Sequence, residues 1–426
     1  MSPRHASCCL SSVLVALSVA AGSARAEDLP TPQQLLDYAE LAYDQHFPTH
    51  VANQSLPPYT YRAYPAVGNY IGVAGSQIYL YGKVVPAAAA PVPVASLSDF
   101  ACERVPGACG DRIDTTITVD GVAREFIVWR PYKARGRQGL PAVLMLHGTS
   151  GTGAEFLLRS GWREKADREG FIAVFPQALF YCYVQDENFD GVPDINAFTK
   201  WAAGKLGDPE KRPLCNADQL ATLTATNRAR ADHPLMNDEA YIRAVVEHVR
   251  VNHAVDPKQV YVSGFSNGCE MAGNLAATAA DLFAAVHCAS SALSVDTLAS
   301  RAIAVVHSMG NKDPDQGRAL GYYNSATGQV NIPLDETVLT TGRYATGIVA
   351  PFLKALQLGQ TYTWQQVPTQ GRTTSRFRFA SSTVGASNSL LTVIIDGLAH
   401  EYPNGKNHPV VMADEIWEFF KTQRVP

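Results

Sequence analysis

Residues 259–277 read QVYVSGFSNGCEMAGNLAA, and this segment carries most of the information about the architecture. The apolar run 259–262 is typical of a strand that is buried on both faces of a parallel sheet. It is followed by Gly264-Phe265-Ser266-Asn267-Gly268 and then by small and apolar residues at helical spacing. A G-x-S-x-G sequence between a strand and a helix predicts a sharp turn that leaves Ser266 protruding, with glycines where side chains would crowd the turn. The alternative is an ordinary serine N-cap of a helix.

Apolar runs and segments of helical periodicity alternate on both sides of this turn, which predicts a doubly wound α/β domain with a mostly parallel sheet over residues 99–426. Asn237 or Asp238 is predicted to cap a helix that runs to about Val251. Residues 181–234 do not follow the alternation and are predicted to be an insertion that covers one end of the sheet. Further strands are predicted at 115–119, 124–129, 141–147, 171–175, 283–288, 302–307 and 390–395.

Residues 1–26 have the pattern of a secretory signal. A short polar start is followed by the apolar run 10–21 and by Ala24-Arg25-Ala26, which has the small-x-small form of a cleavage site. The alternative is a membrane anchor, but the run is shorter than the roughly 20 residues that span a bilayer. The sequence therefore predicts an exported protein without a membrane span.

The chain has eight cysteines, of which Cys8 and Cys9 lie within the predicted signal. An even number of remaining cysteines in an exported chain predicts disulfides rather than metal ligands. Proximity along the chain favours the pairs Cys102–Cys109, Cys182–Cys215 and Cys269–Cys288. The alternative for the last pair is two buried thiols that pack as small apolar groups.

Residues 27–83 predict a small α+β module that is separate from the main domain. It begins with an amphipathic helix at 32–46, and strands follow at 68–73 and 77–81. Residues 84–98 are rich in proline and alanine and predict a semi-extended linker. The tyrosines of the module are compatible with a flat surface for a polymer or glycan, although filling a small core is favoured. They are Tyr59, Tyr61, Tyr64, Tyr70, Tyr79 and Tyr81.

A serine hydroxyl needs a base to become a nucleophile, and His400 is the best candidate. It follows the predicted strand 390–395 in a loop bounded by glycine and proline, at the sheet edge where catalytic groups collect. His287 and His307 lie inside predicted strands, and His408 is predicted to open the last helix. These three histidines are therefore expected to pack or cap.

The acid that orients the base is expected between Ser266 and His400 in the chain, on a loop after a strand. Asp313 is favoured because it lies close to the end of the predicted strand 302–307, and Asp315 is the rival. The alternative for each is an aspartate that forms a turn beside proline.

Two backbone amides are predicted to hold the negative charge of a tetrahedral intermediate. One is the amide of Asn267, at the start of the helix. The other is the amide of Thr149, in the glycine-rich loop 147–153 that follows a buried strand. A phosphate-binding loop is the alternative, but the nucleotide-binding patterns G-x-G-x-x-G and GK[ST] are missing.

These residues together resemble the polyhydroxybutyrate depolymerase and feruloyl esterase branch of the α/β-hydrolases. The motifs are His147-Gly148-Thr149, Gly264–Gly268, Asp313 and Gly397–His400, with an aromatic and a proline at Tyr402 and Pro403. The resemblance covers the chain from about Thr115 and implies a secreted ester hydrolase. A polyester depolymerase is the first expectation, and a feruloyl or acetyl esterase acting on plant polysaccharide is the alternative. Cys269, Cys288 and the insertion depart from the pattern of this branch.

The insertion contains oxygen-bearing residues at alternate positions around a glycine, as in a calcium-binding loop. Ala197 stands where an EF-hand has its bidentate glutamate, so the alternative is a solvated acidic turn. A calcium ion here is expected to be structural. The predicted ligands are Asp186, Asn188, Asp190, the carbonyl of Val192 and Asp194.

The charge balance argues against a nucleic-acid partner. Lys and Arg number 35 against 39 Asp and Glu, which leaves a net charge of −4 and no basic block. The expected partner is an ester substrate, most readily a polymeric one, and the expected chemistry needs no cofactor. A surface-binding protein with an inactive hydrolase domain is the alternative from another class.

Overall fold

The computed structural model of the chain describes residues 71–74, 77–80, 83–86, 110–186, 191–369, 371–383 and 386–426. The chain forms two compact units, and the larger one comprises 112–129, 136–162 and 171–426. The predicted signal at 1–26, the predicted helix at 32–46 and the predicted pair Cys102–Cys109 lie outside the described residues.

Three short strands, β1 (Ile71–Ala74), β2 (Gln77–Leu80) and β3 (Lys83–Pro86), form an antiparallel sheet in the smaller unit. The first two correspond to strands predicted for the N-terminal module. Because β3 includes residues 84–86, the predicted linker begins inside a strand, and its other residues lie outside the described ones. Tyr79 lies in β2, whereas the other tyrosines of the module lie outside the described residues.

A ten-stranded sheet dominates the rest of the chain, and two small hairpins accompany it. The strands are β4 (Gly110–Val119), β5 (Val122–Pro131), β6 (Leu140–Leu146), β7 (Ile172–Pro176), β8 (Phe180–Gln185), β9 (Asp194–Thr199), β10 (Val255–Phe265), β11 (Ala285–Ala289), β12 (Ala304–Gly310), β13 (Tyr323–Asn324), β14 (Gln329–Val330), β15 (Tyr362–Thr369), β16 (Arg372–Ala380) and β17 (Ser389–Ile395).

The strand order of the large sheet is β4-β5-β7-β6-β10-β11-β12-β17-β16-β15. Six central strands are parallel to one another, and they are β7, β6, β10, β11, β12 and β17. Most residues of these strands are buried, as expected where helices cover both faces. Antiparallel strands continue the sheet at both edges. This is the mostly parallel mixed sheet of the α/β-hydrolase fold, so the predicted fold class is confirmed.

The helices connect the parallel strands and also build the insertion. Within the described part of the chain, no helix is both long enough and apolar enough to cross a membrane. The helices are α1 (Gly153–Arg159), α2 (Trp162–Glu169), α3 (Ala217–Ala221), α4 (Ala225–Ala231), α5 (Asp238–Asn252), α6 (Asn267–Thr278), α7 (Pro314–Leu320), α8 (Ala350–Ala355) and α9 (Met412–Phe420).

The residue that caps α5 is one of the two predicted candidates. Asn237 is the N-cap, and its side-chain oxygen accepts a hydrogen bond from the amide of Ala240 at 3.1 Å. The neighbouring Asp238 is buried and pairs with Arg124 at 2.6 Å. A charged side chain directly after the cap therefore serves to join α5 to β5.

The antiparallel hairpin β15–β16 was not predicted. The last residues of β16 alternate buried and exposed side chains, with Phe377 and Phe379 buried. A search for continuous apolar runs misses such strands, because a strand with one solvated face has a period of two. The alternation of Phe377 and Phe379 with Arg376 and Arg378 was the available signal.

The segment predicted to be an insertion contains strands that lie outside the large sheet. Strands β8 and β9 form a separate antiparallel hairpin, and α3 and α4 follow it. A disulfide joins Cys182 to Cys215, one of the predicted pairs. Tyr181, Tyr183 and Leu206 form a small buried cluster of their own. The insertion thus has a core and a covalent link that hold its shape.

Candidate active site

The turn between β10 and α6 holds Ser266 in an unusual backbone conformation. Its φ is 52° and its ψ is −121°, values that cost of order 1–3 kcal/mol for a residue with a side chain. A Cβ atom on Gly264 would lie 2.0 Å from the carbonyl oxygen of Gly268, and one on Gly268 would lie 2.3 Å from that of Leu146. Both glycines are therefore required by close backbone contacts, and the serine side chain is left at the carboxyl edge of the sheet.

Hydrogen bonds and a disulfide hold this strained turn in place. The amide of Ser266 donates to the carbonyl of Ala289, at the end of β11, at 2.8 Å. The disulfide between Cys269 and Cys288 links the first turn of α6 to the same strand, and it is the second predicted pair that the structure contains. The two cysteines that depart from the family pattern thus brace the turn that carries Ser266.

The three side chains predicted to act together meet at this edge. His400 Nδ1 lies 2.8 Å from Asp313 Oδ2, and His400 Nε2 lies 3.1 Å from Ser266 Oγ. With Nδ1–H donating to the carboxylate, Nε2 is left to accept the proton of the serine hydroxyl. Asp315 lies on the other side of the ring, with Oδ2 3.6 Å from Nε2. Asp313, and not its rival, therefore stands in the orienting position.

Asp313 has one structural role in addition to facing His400. It is the N-cap of α7, and its Oδ1 accepts hydrogen bonds from the amides of Asp315 and Gln316, both at 3.0 Å. The side chain is fully buried. Three donors therefore hold one carboxylate, which leaves it no freedom to turn away from His400.

The loop that carries His400 is held by the loop after β12. Lys312 donates its amide to the carbonyl of Leu398 at 3.0 Å, and Gly397 donates its amide to the side chain of Asn311 at 2.8 Å. These contacts place the ends of β12 and β17 side by side, so that Asp313 and His400 face each other across adjacent parallel strands.

The loop of residues 147–151, which we call the oxyanion loop, lies directly against the serine. A Cβ atom on Gly148 would come within 3.2 Å of Ser266 Cβ. Among the residues that the structure describes, no group accepts a hydrogen bond from the amide of Thr149 or of Asn267. An oxyanion hole requires free amides, so Thr149 and Asn267 stay its predicted donors.

His147 anchors the oxyanion loop as a neutral ring. Its Nδ1–H donates to the carbonyl of Gly148 at 2.7 Å, and its Nε2 accepts from the amide of Ala178 at 3.1 Å. Complete burial lowers the pKa of His147 to about 4. This histidine therefore shapes the loop and takes no proton at neutral pH.

Three other histidines, His287, His307 and His408, were expected to pack or cap, and they are buried. His408 differs from the prediction in the place that it occupies. His287 lies between the hydroxyls of Ser263 and Ser308, at 2.8 and 2.9 Å, and burial lowers its pKa to about 3. The prediction that His408 opens the last helix is wrong, because α9 begins at Met412. His408 instead donates Nε2–H to the carbonyl of Asp396 at 2.9 Å. It braces the loop before His400.

The calcium prediction stays a prediction. Asp186, Val192 and Asp194 are described, whereas Asn188 and Asp190 lie outside the described residues. Asp186 Oδ2 accepts a hydrogen bond from the amide of Gly191 at 2.8 Å. This contact is compatible with either a calcium loop or a solvated acidic turn.

Sequence reasoning missed the segment 199–202, which begins at the last residue of β9 and contacts both residues that are predicted to form the oxyanion hole. Its Lys200 donates to the hydroxyl of Thr149 at 3.2 Å, and the amide of its Trp201 donates to the side chain of Asn267 at 2.6 Å. The segment lies in the insertion and has no periodicity or motif. Only its position in the folded chain identifies it.

A serine, a histidine and a buried carboxylate in this series, at the carboxyl edge of an α/β-hydrolase sheet, form the arrangement that serine hydrolases use. Comparison with known proteins agrees with this class. No protein-family model matches the chain. An acetylxylan esterase of Coprinopsis cinerea is 26% identical over 161 residues, which are 38% of this chain and 33% of that protein.

Two further comparisons point to similar proteins. "Putative esterase NocK" of Nocardia uniformis subsp. tsuyamanensis is 32% identical over 211 residues, 47% of either protein. The solved acetyl xylan esterase from Aspergillus awamori aligns with 73% of this chain and 99% of its own at 15% identity, with a TM-score of 0.44. The matched regions span from a third to about half of the curated relatives' length. Both curated relatives are esterases by name, and the polyhydroxybutyrate depolymerase branch stays a prediction.

The pH at which kcat/KM falls on the acid side should depend on the negative charge of Asp315. Burial lowers the pKa of His400, but the hydrogen bond with Asp313 and the charges of Asp313 and Asp315 together raise it above its ordinary value. His400 accepts a proton only when neutral, so kcat/KM should fall as the pH drops through this raised pKa. Asp315→Asn removes one of the raising charges, and the acid limb of the profile should move to lower pH.

The measurement is kcat/KM for a soluble ester against pH, with Asp296→Asn as the control. Asp296 is an exposed aspartate whose removal changes the net charge equally, and it pairs with Lys354 instead of His400. The control should keep the wild-type midpoint. An Asp315→Asn midpoint that stays in place or rises would show that this carboxylate does not act on His400.

Proposed function

We propose that the protein is a serine carboxylic-ester hydrolase that works through an acyl-enzyme. The observation that carries this proposal is the hydrogen-bonded series from Asp313 through His400 to Ser266, with distances of 2.8 and 3.1 Å. The esterase names of the relatives support the same chemistry. A purely binding protein would have no reason to keep a buried carboxylate behind a histidine that faces a strained serine.

Each group has a defined part in the proposed mechanism. His400 Nε2 takes the proton of Ser266 as its oxygen attacks the ester carbonyl, while Asp313 stabilises the imidazolium. The amides of Thr149 and Asn267 hold the negative charge on the carbonyl oxygen. His400 then protonates the leaving alcohol, and a water molecule that it deprotonates releases the acid. No step of this proposal needs a cofactor.

We propose a polyester of the polyhydroxyalkanoate type as the substrate. Strand β9 leads directly into the segment that contacts the oxyanion loop, and it carries two exposed apolar side chains. Ile195 is 43% exposed and Phe198 is 42% exposed. Exposed apolar side chains on the strand that leads to the oxyanion loop favour an apolar polymer over a sugar surface.

An acetyl or feruloyl esterase acting on plant polysaccharide is the second candidate. The observation that favours it is the similarity to an acetylxylan esterase over 161 residues. The test is to assay purified protein on p-nitrophenyl butyrate, polyhydroxybutyrate film, acetylated xylan and methyl ferulate, with Ser266→Ala beside it. Hydrolysis of the film supports the polyester proposal, and activity confined to xylan or ferulate esters supports the second candidate. A wild-type protein that hydrolyses none of these four substrates would contradict the enzyme proposal.

Replacing Phe198 with serine should separate polymer binding from chemistry. Removing an apolar side chain of this size from a contact with the film costs about 1.5 kcal/mol, so film hydrolysis should fall about tenfold. The kcat/KM for p-nitrophenyl butyrate should stay at the wild-type value, because Phe198 is not among the groups that act on the ester.

The matched control for this test is Val251→Ser. Val251 is the most exposed of the large apolar residues described and lies near the end of α5. Helix α5 precedes β10, so its end lies at the amino edge of the sheet, opposite Ser266. The control should leave film hydrolysis unchanged. An equal loss in both variants would mean that Phe198 has no special part in film binding.

We propose export for the protein and a structural role for any calcium. The disulfides Cys182–Cys215 and Cys269–Cys288 are compatible with an oxidising compartment, which supports the signal predicted at 1–26. Should calcium bind at the predicted loop around Gly191, it would stabilise the insertion, and ester hydrolysis itself would not depend on its charge.

A further inference from the structure

The segment of residues 199–202, which we call the strap, is hydrogen-bonded to the backbone of the oxyanion loop. The amide of Ser150 donates to the carbonyl of Thr199 at 2.9 Å, and the hydroxyl of Thr199 donates to the carbonyl of Gly151 at 2.7 Å. The indole N–H of Trp201 donates to the carbonyl of His147 at 2.8 Å. The strap therefore contacts both ends of the oxyanion loop.

Consecutive residues of the strap hold the side chains of the two residues whose amides form the oxyanion hole. Lys200 Nζ donates to the hydroxyl of Thr149 at 3.2 Å. The amide of Trp201 donates to Asn267 Oδ1 at 2.6 Å. One short segment of the insertion thus sets the two halves of the oxyanion hole relative to each other.

Lys200 is an unusual residue for this position, because it is a cation at only 2% exposure. Its Nζ also donates to the hydroxyl of Tyr183 at 3.2 Å and lies 4.5 Å from the centre of that ring. A buried cation is costly unless it is paired and hydrogen-bonded. The hydrogen bond that it makes to Thr149 is charge-assisted and stronger than one between neutral groups.

We propose that Lys200 is a positioning residue that holds the Thr149 amide at the geometry of the oxyanion hole, an inference that rests on the proposed esterase function. An oxyanion-hole amide works only within about 2.7–3.1 Å of the developing negative charge. A shift of roughly 1 Å can cost 10²-fold in rate. By fixing the Thr149 side chain, Lys200 restricts the movement of its amide.

A buried glutamate interacts with the charge of Lys200 and with two further cations. Glu270, in the first turn of α6, accepts from Asn267 Nδ2 at 3.0 Å and from Arg212 Nη1 at 3.3 Å. Burial opposes its charge, but the charges of Arg212, Lys205 and Lys200 hold its pKa below its usual range. Because two of these cations remain when Lys200 is replaced, the fold should tolerate a neutral side chain at this position.

The test is Lys200→Met, which keeps most of the length of the side chain and removes its charge and donors. We expect kcat to fall about tenfold, less than the 10²–10³-fold that the loss of an oxyanion donor costs, with KM little changed. The affinity for 1-butaneboronic acid, which forms a tetrahedral adduct on the serine, should fall by the same factor as kcat/KM. The melting temperature should stay near the wild-type value.

A double-mutant cycle with Thr149→Val tests whether Lys200 acts through the threonine hydroxyl. Valine removes that hydroxyl and keeps the amide, so each single variant should lose activity and the double variant should lose no more than Lys200→Met alone. Lys211→Met is the control, because Lys211 belongs to the same insertion, is exposed and pairs with Asp208. This control should match the wild type.

Several results would overturn the inference. They are a Lys200→Met enzyme with wild-type kcat, a kcat loss without a matching loss of boronate affinity, and losses that multiply in the double variant. The failure of the proposed function looks different, because the wild type would then neither hydrolyse esters nor bind 1-butaneboronic acid. That result would overturn both proposals together.

Discussion

Ser266→Ala is expected to remove ester hydrolysis almost completely, with kcat reduced roughly 10⁵–10⁶-fold. Ser266 Oγ is the atom that His400 Nε2 faces at 3.1 Å, and without it no acyl-enzyme forms. The remaining rate would come from the oxyanion hole and from substrate binding alone. The fold should persist, because the serine side chain makes no capping hydrogen bond to α6.

A fluorophosphonate probe with mass spectrometry measures this prediction directly. The wild type should take up one probe molecule on Ser266, and Ser266→Ala should take up none. Ser263→Ala is the matched control, since Ser263 lies on β10, the strand that precedes Ser266, and is buried and hydrogen-bonded to His287. The Ser263→Ala variant should still take up one probe molecule on Ser266. Persistent hydrolysis by Ser266→Ala, or a label on another serine, would refute the nucleophile assignment.

Asp313→Asn is expected to lower kcat by about 10³–10⁴-fold while leaving the protein nearly as stable as the wild type. The carboxylate has two separate tasks on its two oxygens. Oδ1 caps α7, and Oδ2 accepts from His400 at 2.8 Å. An asparagine can cap with its oxygen, but its amide nitrogen then faces His400 and favours the tautomer in which Nε2 carries the proton. That tautomer cannot accept the proton of Ser266.

Asp313→Ala separates the two tasks of this carboxylate. It should lose a similar amount of activity and, in addition, about 1 kcal/mol of unfolding free energy, because the helix cap is also removed. Urea unfolding together with kcat measures both effects. Near-normal activity in Asp313→Asn would mean that the orienting carboxylate is another residue, with Asp315 the first to examine.

Much of the site was predictable because each part has a local signature. The turn at Ser266 combines a buried strand, two glycines and a helix of small residues within 19 positions, 259–277. His400 and Asp313 each follow a buried strand, and the carboxyl ends of parallel strands share one edge. Chain order and sheet geometry together therefore narrowed eleven histidines to His400.

The choice between Asp313 and Asp315 needed the folded chain. The two residues lie on one turn, and both are aspartates beside Pro314. In the structure the cap of α7 turns Asp313 inward and leaves Asp315 at the edge, 43% exposed. Side-chain direction at the start of a helix depends on which residue bonds the free amides, and this is decided by packing.

The strap shows the opposite limit of sequence reasoning. Nothing in Thr199–Ala202 marks Lys200 or Trp201 as part of an active site, because the segment has neither periodicity nor motif. The role of the strap depends on contacts with residues that lie about 50 and 66 positions away. The hairpin β8–β9 and the disulfide Cys182–Cys215 bring it there.

The linear sequence alone predicted the parallel sheet, the sharp turn at the serine, two disulfide pairs and the candidates for base and acid. These features depend on short-range sterics, on burial patterns and on the order of strands, all of which are present in the linear chain. Which aspartate faces His400, how Cys269–Cys288 braces the turn and how Lys200 reaches Thr149 followed only from folding. Those relations depend on distances between residues far apart in the chain, and only the packed structure sets such distances.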